Sequence, residues 1–171
     1  GEDEEYNIIG NPTEASLLIL AAKAGLFKED IKFIRKEEIP FSSERKLMTV
    51  LCEEGRDKFI YTKGAAEILL SKCAYIQEKS RTFKLTNKTR EKILNENKGL
   101  AAKSFRTLAL AYKKVDSASK DDLEKDLVFL GIIAMEDPPR IEVKEAIRLC
   151  LNAGIKVKMI TGDNRETAEE I

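Results

Sequence analysis

The sequence predicts an α+β module followed by the start of an α/β module. Two short β-prone runs, residues 47–52 and 58–62, are separated by the turn-forming residues EEGRD, which is typical of an antiparallel hairpin. Nearer the other end, two consecutive prolines interrupt the pattern, and a helix-to-strand-to-helix rhythm follows them, as in parallel α/β units. We therefore place a domain boundary at the prolines and expect modules at residues 1–135 and 136–171.

The first module is expected to open with a helix. Asn11 suits the N-cap, Pro12 the first helical position and Glu14 the third position of a capping box. The apolar stretch 17–24 then ends at Gly25. Because a capping box would occupy the Glu14 carboxylate, the residues alone favour a structural role for Glu14.

Apolar periodicity predicts the remaining elements of this module. They are a helix at 65–73, a hairpin at 75–85, a helix at 87–105, and strands at 107–112 and 127–134. The last of these runs is continuously apolar, which fits a strand that is buried on both faces.

The second module is expected to start at the sequence DPPR, residues 137–140. Two prolines remove two backbone donors, so a central strand cannot continue through them. A helix ended by Gly154 should follow, on an apolar stripe made of Val143, Ala146, Ile147 and Cys150. A strand is predicted at 155–160, leading into Thr161-Gly162-Asp163-Asn164.

Composition excludes several classes of function. The hydrophobic fraction of 43% and the charged fraction of 35% are those of a globular domain. Thirty basic residues balance thirty acidic ones, so no net charge favours nucleic acid or an anionic membrane. There is no histidine, and the three cysteines lack metal-site spacing. The longest apolar run, 127–135, is about half of what a bilayer requires, so we expect no entry into the membrane.

The sequence FSSERKLMTV at residues 41–50 could contribute to a nucleotide site. The ring of Phe41 could stack on an adenine, and Lys46 could place a positive charge near the nucleotide. Stacking of a base on an aromatic ring contributes about 1–3 kcal/mol. Taken alone, Phe41 is more simply explained as a core residue.

The sequence KGAAE at residues 63–67 places a lysine at a strand end, before a glycine and a helix start. Glycine permits a close backbone approach, and helix N-termini favour anions. The spacing is not that of the phosphate-binding loop with two glycines before Lys-Ser or Lys-Thr. Alone, Lys63 and Gly64 are more simply a tight turn with a solvated lysine, and Arg106 is more simply a surface residue.

The sequence MITGDN at residues 159–164 sets a hydroxyl, a glycine and a carboxylate directly after a predicted parallel strand. Ligands of such sheets bind outside the carboxyl ends of the strands. Asp163 could hold Mg²⁺ through water or orient a phosphate, and Thr161 could donate a hydrogen bond to a phosphate oxygen. Helix capping by Asp163 or Asn164 explains the same residues equally well.

Taken together and in this order, five segments resemble the large cytoplasmic loop of P-type ATPases, closest to calcium-pump-like and related bacterial cation pumps. They are GNPTEASL at 10–17, FSSERKLMTV at 41–50, KGAAE at 63–67, FRTLALAY at 105–112, and MEDPPR through MITGDN at 135–164. The resemblance implies a nucleotide-binding domain at 1–135, built as an antiparallel sheet flanked by helices. It implies a hinge and a partial, haloacid-dehalogenase-like phosphorylation domain at 136–171.

The resemblance also implies a set of nucleotide-binding residues. Adenine would stack on Phe41 and be approached by the Glu14 carboxylate, and Arg106 would reach the sugar or the phosphates. The implied set is Glu14, Phe41, Lys46, Lys63, Gly64, Arg106, Thr161, Gly162 and Asp163, with Asp137 and Arg140 in the hinge. No catalytic residue and no dedicated metal ligand is expected in this chain.

Members of the family transfer the γ-phosphoryl group of ATP, with Mg²⁺, to an aspartate and thereby move cations across a membrane. The Asp-Lys-Thr-Gly-Thr motif of that aspartate is absent from this sequence. The resemblance therefore implies an N-terminally truncated cytoplasmic piece of an integral membrane pump, which binds ATP but does not hydrolyse it. Its partners would be the remaining phosphorylation, actuator and membrane domains of the same pump, and not nucleic acid.

Two positions depart from the family's pattern. Ser43 and Ala66 stand where an arginine and a proline are frequent, so no phosphate contact is expected at Ser43. Two other functions stay open: a fragment of a haloacid-dehalogenase-type phosphatase, and a non-catalytic module that binds adenylates or proteins.

Overall fold

The computed structural model describes residues 12–116, 123–136, 141–158 and 160. They contain both helices and strands. The helices are α1 Pro12–Lys23, α2 Ala66–Lys72, α3 Asn87–Ala102 and α4 Ile141–Asn152, with one 3-10 turn at Lys28–Asp30. The strands are β1 Ile34–Ile39, β2 Leu47–Glu54, β3 Asp57–Gly64, β4 Cys73–Glu78, β5 Arg81–Lys84, β6 Arg106–Val115 and β7 Leu127–Met135.

The seven strands found in the described residues form one sheet in the order β1-β2-β3-β6-β7-β4-β5. Neighbouring strands are antiparallel except β4 and β7, which are parallel. The predicted α+β class and the two predicted hairpins are thereby confirmed, and the sheet is mostly antiparallel. In this order β7 stands between β6 and the β4–β5 hairpin, although it comes last along the chain among the described strands.

One face of the sheet, which we call the core face, carries the hydrophobic core. Side chains alternate between the faces of a strand, and on this face Leu47, Ile60, Ala109 and Ala111 are almost fully buried. Helices α2 and α3 cover it with Leu69, Leu70 and Ile93. Burial of a side chain of this size contributes about 1.5–3 kcal/mol, so this face supplies most of the stability of the domain.

The opposite face, which we call the open face, is also largely apolar but remains accessible. It presents Met48, Val50, Tyr61, Lys63, Leu110 and Leu130, which line a single concave surface. Leu130 and Tyr61 are 44% and 36% exposed. The prediction that residues 127–134 are buried on both faces is therefore wrong: only the core-face residues of β7, Leu127 and Phe129, are buried.

Strand β7 also contains a bulge at Leu130, an exposed residue of the open face. Leu110 of β6 pairs with Gly131 and Ala111 pairs with Phe129, so the register passes over Leu130. An inserted residue bends a strand and redirects its side chains. Leu130 follows the core-facing Phe129 and lies on the open face, and the bulge then brings the next residue, Gly131, opposite Leu110.

Residues 123–126, just before β7, fold back beneath the core face. Leu123 is 1% exposed and belongs to the core. Asp126 has a φ of 53°, a left-handed conformation that aspartate tolerates better than most residues. This reversal puts Glu124 next to Thr49 of β2, far away in the sequence.

The structure differs from the sequence prediction in two strands. Strand β1 was not anticipated, because its sequence IRKEEI is charged, as edge strands often are. The strand predicted at 155–160 is absent from the described residues 155–158 and 160. A strand needs a hydrogen-bonded neighbour, and α4 is followed by no partner strand in the described part, so the haloacid-dehalogenase-like segment is not confirmed.

Helix α4 agrees with the predicted helix and ends at Asn152, two residues before Gly154, whose φ is 74°. Its apolar stripe is exposed, with Val143 and Ile147 37% and 39% accessible. Among the helices of the described ranges, none has the length and apolarity required to cross a bilayer.

Candidate functional site

The strand register gathers four of the predicted motifs at one end of the sheet. Strand β2 starts at Leu47 opposite the last residue of β3, Gly64, which in turn pairs with Ala109 of β6. Strand β6 starts three residues earlier, at Arg106, which pairs with Met135 at the end of β7. The loop 40–46, the KGAAE sequence, Arg106 and the end of β7 therefore all meet at this end.

The loop 40–46 forms a closed turn that leaves its aromatic ring outside the core. The Lys46 amide donates to the Ser42 carbonyl at 2.7 Å, and the Arg45 amide donates to Ser42 Oγ at 3.2 Å. Lys46 itself has a φ of 54°. Phe41 is 60% exposed, so its interpretation as a core residue is wrong.

Gly64 makes room for the main chain of Lys46. A Cβ at position 64 would lie 2.2 Å from the Lys46 carbonyl oxygen and 2.7 Å from Leu47 Cδ2. The same carbonyl accepts a hydrogen bond of 3.1 Å from the Ala65 amide. The predicted close approach of another group to Gly64 is present, and that group is the Lys46 main chain of loop 40–46. Gly64 thus fixes the height of the loop 40–46 above the end of β3.

Lys63 is paired with Glu14, which is 49 residues away in the sequence. The Lys63 ammonium lies 2.5 Å from both oxygens of the Glu14 carboxylate. The side chain of Lys63 is 22% exposed and that of Glu14 is 53% exposed. Lys63 is therefore not the solvated lysine of a simple turn, and the Glu14 carboxylate is engaged by Lys63. This pair ties α1 to the end of β3.

A cavity of about 190 Å³ lies on the open face beside Lys63. Its lining is mostly apolar and includes Met48, Val50, Leu110 and Leu130. Tyr61 forms one wall, and its hydroxyl donates to Glu54 at 2.7 Å. Burial, together with the bond to Glu54, raises the pKa of Tyr61, so the phenol stays neutral. An apolar cavity with one ammonium group at its edge suits a flat, partly anionic ligand.

Arg106 lies on the same face and at the same end, but further out. It is four residues from Leu110 along β6, which is about 14 Å at the rise of a strand. Its side chain is exposed. The structure thus brings Glu14 to Lys63 and Lys46 to Gly64, and leaves Arg106 at the rim of the site.

A polar network below the loop was not anticipated from the sequence. Arg45 forms an ion pair with Glu124, and its other terminal nitrogen donates to the Pro40 carbonyl at 3.1 Å. Glu124 also accepts a hydrogen bond of 2.7 Å from the hydroxyl of Thr49. Arg45 and Glu124 are 79 residues apart. No local sequence pattern could have linked these two residues. The only sequence signal was the alternation along β2, which places the polar side chain of Thr49 on the core face.

Several predicted residues fall outside the described ranges. They are the hinge residues Asp137 and Arg140, and Thr161, Gly162 and Asp163. Within the ranges that are described, no three His, Cys, Asp or Glu side chains lie close enough together to hold a metal ion.

The mostly antiparallel sheet and the motifs gathered at one end of it agree with the resemblance to P-type ATPases, and comparison with known proteins gives the family. The family described as P-type ATPase, cytoplasmic domain N, matches residues 1–142. The chain belongs to this family. Of the functions that the sequence left open, the match supports the ATPase and neither the phosphatase nor the non-catalytic module.

Similar proteins include several cation pumps. A calcium-transporting ATPase of Bacillus subtilis is 40% identical over 175 residues, covering 99% of this chain and 20% of that protein. Human calcium-transporting ATPase type 2C member 1 is 39% identical, covering 96% of this chain and 17% of that protein. A sodium/potassium exporting P-type ATPase of Schizosaccharomyces pombe is 38% identical, covering 99% and 17%. The chain thus spans about a fifth of the length of these relatives.

Proposed function

We propose that this chain binds the adenosine end of ATP on the open face of its sheet, as the cytoplasmic nucleotide-binding part of a cation-transporting P-type ATPase. One observation carries the proposal: the end of β3 joins loop 40–46 and helix α1 at one edge of an apolar cavity. Lys63 lines the cavity and pairs with Glu14 of α1, and Gly64 packs against the Lys46 main chain. These three segments are separated in the sequence, and they contain the residues that resemble the family's nucleotide site.

Each of these residues has a chemically suitable role. The exposed ring of Phe41 can stack on adenine, which contributes about 1–3 kcal/mol. Lys63 attracts the phosphates, and Gly64 keeps the Lys46 main chain close to the site. Lys46 and Arg106, both exposed at the same end of the sheet, add positive charge. An aromatic platform with ammonium and guanidinium groups around it fits a nucleoside triphosphate better than an uncharged ligand.

The ion pair between Lys63 and Glu14 suggests how the ligand enters. Phosphate oxygens and the Glu14 carboxylate compete for the same ammonium group. When the phosphates take Lys63, the carboxylate becomes free to accept a hydrogen bond from the exocyclic amino group of adenine. Because the Glu14 side chain is 53% exposed, the pair adds little stability of its own, and its exchange costs little.

The affinity should be weak. Stacking and a few partly solvated contacts correspond to a dissociation constant of roughly 1 mM, or about 4 kcal/mol. Weak binding suits a domain that delivers ATP and then releases ADP.

The rest of the proposal concerns the whole pump. Residues 136–171 would form a hinge with Asp137 and Arg140, followed by part of the phosphorylation domain, in which Thr161, Gly162 and Asp163 face the terminal phosphate. Mg²⁺ would accompany ATP and neutralise phosphate charge. Phosphoryl transfer depends mainly on positioning and electrostatics, so a separate domain can hold the nucleotide while another supplies the aspartate. The phosphorylated aspartate would drive cation movement across the membrane.

Titration of the 171-residue chain with ATP, followed by amide chemical shifts, tests the binding proposal. We expect shifts at Phe41, Lys63 and Glu14 that saturate in the low millimolar range. Adenosine should shift Phe41 and Glu14 more than Lys63, and pyrophosphate should shift Lys63 and Glu14 but leave Phe41 unchanged. An absence of shifts at these residues by 10 mM ATP, on the order of ten times the expected dissociation constant, contradicts the proposal.

A pair of lysine variants on one strand provides the matched control. Lys63→Gln removes the ammonium group beside the cavity and should raise the dissociation constant for ATP about fivefold to tenfold, or about 1–1.4 kcal/mol. Lys58→Gln changes the opposite end of β3, so it should leave the affinity unchanged. Equal effects of both variants would indicate only a general attraction of ATP to positive charge.

A further inference from the structure

The loop 40–46 is fastened to a segment that follows it by almost 80 residues. The Arg45 guanidinium reaches in two directions: one terminal nitrogen pairs with Glu124, and the other donates to the Pro40 carbonyl at 3.1 Å. Pro40 and Arg45 flank the short stretch that carries Phe41. One side chain therefore holds both sides of this stretch and joins them to Glu124.

Glu124 is itself held by the core. Its carboxylate accepts a hydrogen bond of 2.7 Å from Thr49, whose hydroxyl lies 3.1 Å from that of Thr62. A hydroxyl has one proton to donate, so Thr49 gives its proton to Glu124 and Thr62 donates to Thr49. Thr49 and Thr62 are 1% and 2% exposed. The chain of contacts runs from the buried centre of the sheet to the loop.

This ion pair differs from the other ion pairs at the surface. The side chains of Arg45 and Glu124 are 32% and 19% exposed, whereas those of Arg148 and Glu145 in α4 are 64% and 57% exposed. An exposed pair contributes little because water and salt screen it. A partly buried pair with additional hydrogen bonds is strong and geometrically specific. Loss of one partner would leave the other charge poorly solvated against the core.

We propose that Arg45 and Glu124 are positioning residues for nucleotide binding: their ion pair holds the loop 40–46 so that the ring of Phe41 is preorganised for adenine. The inference rests on the proposed function. Neither side chain lines the cavity beside Lys63, so both act through the loop. A preformed loop avoids the entropy cost of ordering on binding. Without the ion pair, the loop would have to become ordered when ATP binds, and the affinity would fall.

The test uses the 171-residue chain and the nearly isosteric variant Glu124→Gln, with Glu145→Gln as the matched control. Without nucleotide, Glu124→Gln should shift the amides of Phe41 and Lys46 and speed hydrogen exchange at the Lys46 amide, which is bonded to Ser42. With ATP, its dissociation constant should rise about fivefold to tenfold. Glu145→Gln should change none of these quantities.

Two further variants separate positioning from a general structural role. The charge exchange Arg45→Glu with Glu124→Arg should recover most of the affinity that either single change removes. Arg45→Lys keeps the charge, but its single ammonium group cannot replace the forked guanidinium that bonds both Glu124 and Pro40. It should therefore give an intermediate affinity.

Each remaining outcome decides a different question. If the unmodified chain fails to bind ATP, the proposed function is wrong, and the positioning role falls with it. If the unmodified chain binds and Glu124→Gln binds equally well with unchanged amide shifts, the positioning role alone is wrong. If Arg45→Gln weakens binding while Glu124→Gln does not, Arg45 contacts the nucleotide directly and the inference is overturned. If Glu124→Gln unfolds the chain, the affinities of the charge-exchanged and Arg45→Lys chains decide in its place.

Discussion

The two faces of the sheet are made from the same strands, yet only one of them is closed. Thr49, Ile60 and Ala109 on the core face are at most 1% exposed. Tyr61 and Leu130, on the open face, are 36% and 44% exposed. Residues 60 and 61 are neighbours in the chain, and alternation sends them to opposite environments. The comparison shows that an apolar side chain of a strand can either pack in the core or line an accessible cavity.

What distinguishes the faces is the material that lies against them. Helices α2 and α3 pack on the core face and exclude water. The open face instead has a lysine at the edge of its cavity and an exposed aromatic ring on the adjoining loop. We therefore expect changes on the core face to alter stability, and changes at the open-face end to alter ligand affinity.

The largest expected effect comes from truncating a core-face side chain. Ile60 is fully buried, and Ile60→Ala should lower the free energy of unfolding by about 2–5 kcal/mol because it leaves a cavity. Leu110→Ala, on the open face of the next strand, should cost clearly less because that side chain already borders a cavity. Urea unfolding measures both changes. Equal losses would show that the two faces are equally important for stability.

The next effect concerns the glycine that joins the two regions. Gly64→Ala places a Cβ 2.2 Å from the Lys46 carbonyl oxygen and should cost about 1–3 kcal/mol through forced backbone shifts. It should also weaken ATP binding, since the loop moves. Gly99→Ala is the control: nothing lies within 4 Å of its Cβ, and in the last turn of α3 it should stabilise the fold by up to about 0.5–1 kcal/mol. Thermal unfolding of both variants gives the comparison, and a Gly64→Ala chain of normal stability would contradict the packing described.

Removal of the aromatic ring should separate binding from stability. Phe41→Ala should raise the dissociation constant for ATP about fivefold or more, because a stacked base contributes about 1–3 kcal/mol. The midpoint of unfolding should hardly change, since the ring is 60% exposed. Phe83→Ala on β5, where the ring is 47% exposed, should change neither quantity by much. A large loss of stability in Phe41→Ala would show that the Phe41 ring packs in the core after all.

The smallest expected effect is a difference in thiol reactivity. Burial raises the pKa of Cys73, in the core, from 9.0 to about 12. Between these pH values the unfolded chain ionises this thiol and the folded chain does not. Its contribution to stability is therefore present below pH 9.0 and is lost as the pH rises towards 12.

Alkylation with iodoacetamide at pH 9, read by mass spectrometry, checks this difference. The half-buried Cys150 of α4 should react in the folded chain, and Cys73 should react only after urea is added. Rapid labelling of Cys73 without denaturant would mean that the core face opens easily.

Local patterns predicted most of the elements and little of their environment. Helix α3 and the β2–β3 hairpin follow from periodicity and turn residues, and the structure contains both. Burial of Leu130 was predicted wrongly because a continuous apolar run does not reveal whether protein or a cavity faces it. The strand expected at 155–160 would need a neighbouring strand to pair with, and the local sequence does not show whether such a neighbour is present.

The candidate site was predicted in parts. The residues at Phe41, Lys63 and Gly64 were identified from short motifs, and their nucleotide contacts remain predictions. The pairing of Lys63 with Glu14 spans 49 residues, and that of Arg45 with Glu124 spans 79 residues. Such contacts depend on the whole sheet being assembled, so they can be read only from the three-dimensional structure.

The position of β7 has a consequence for how the chain folds as it is synthesised. In the described sheet the β4–β5 hairpin meets the other strands through β7, so a nascent chain that has reached only residue 126 has two separate pieces of sheet. The exposed edges of β6 and β4 remain unpaired until β7 leaves the ribosome. Non-local pairing of this kind is slow, and open edges invite aggregation. Translation speed through residues 127–135 should therefore influence the yield of folded protein.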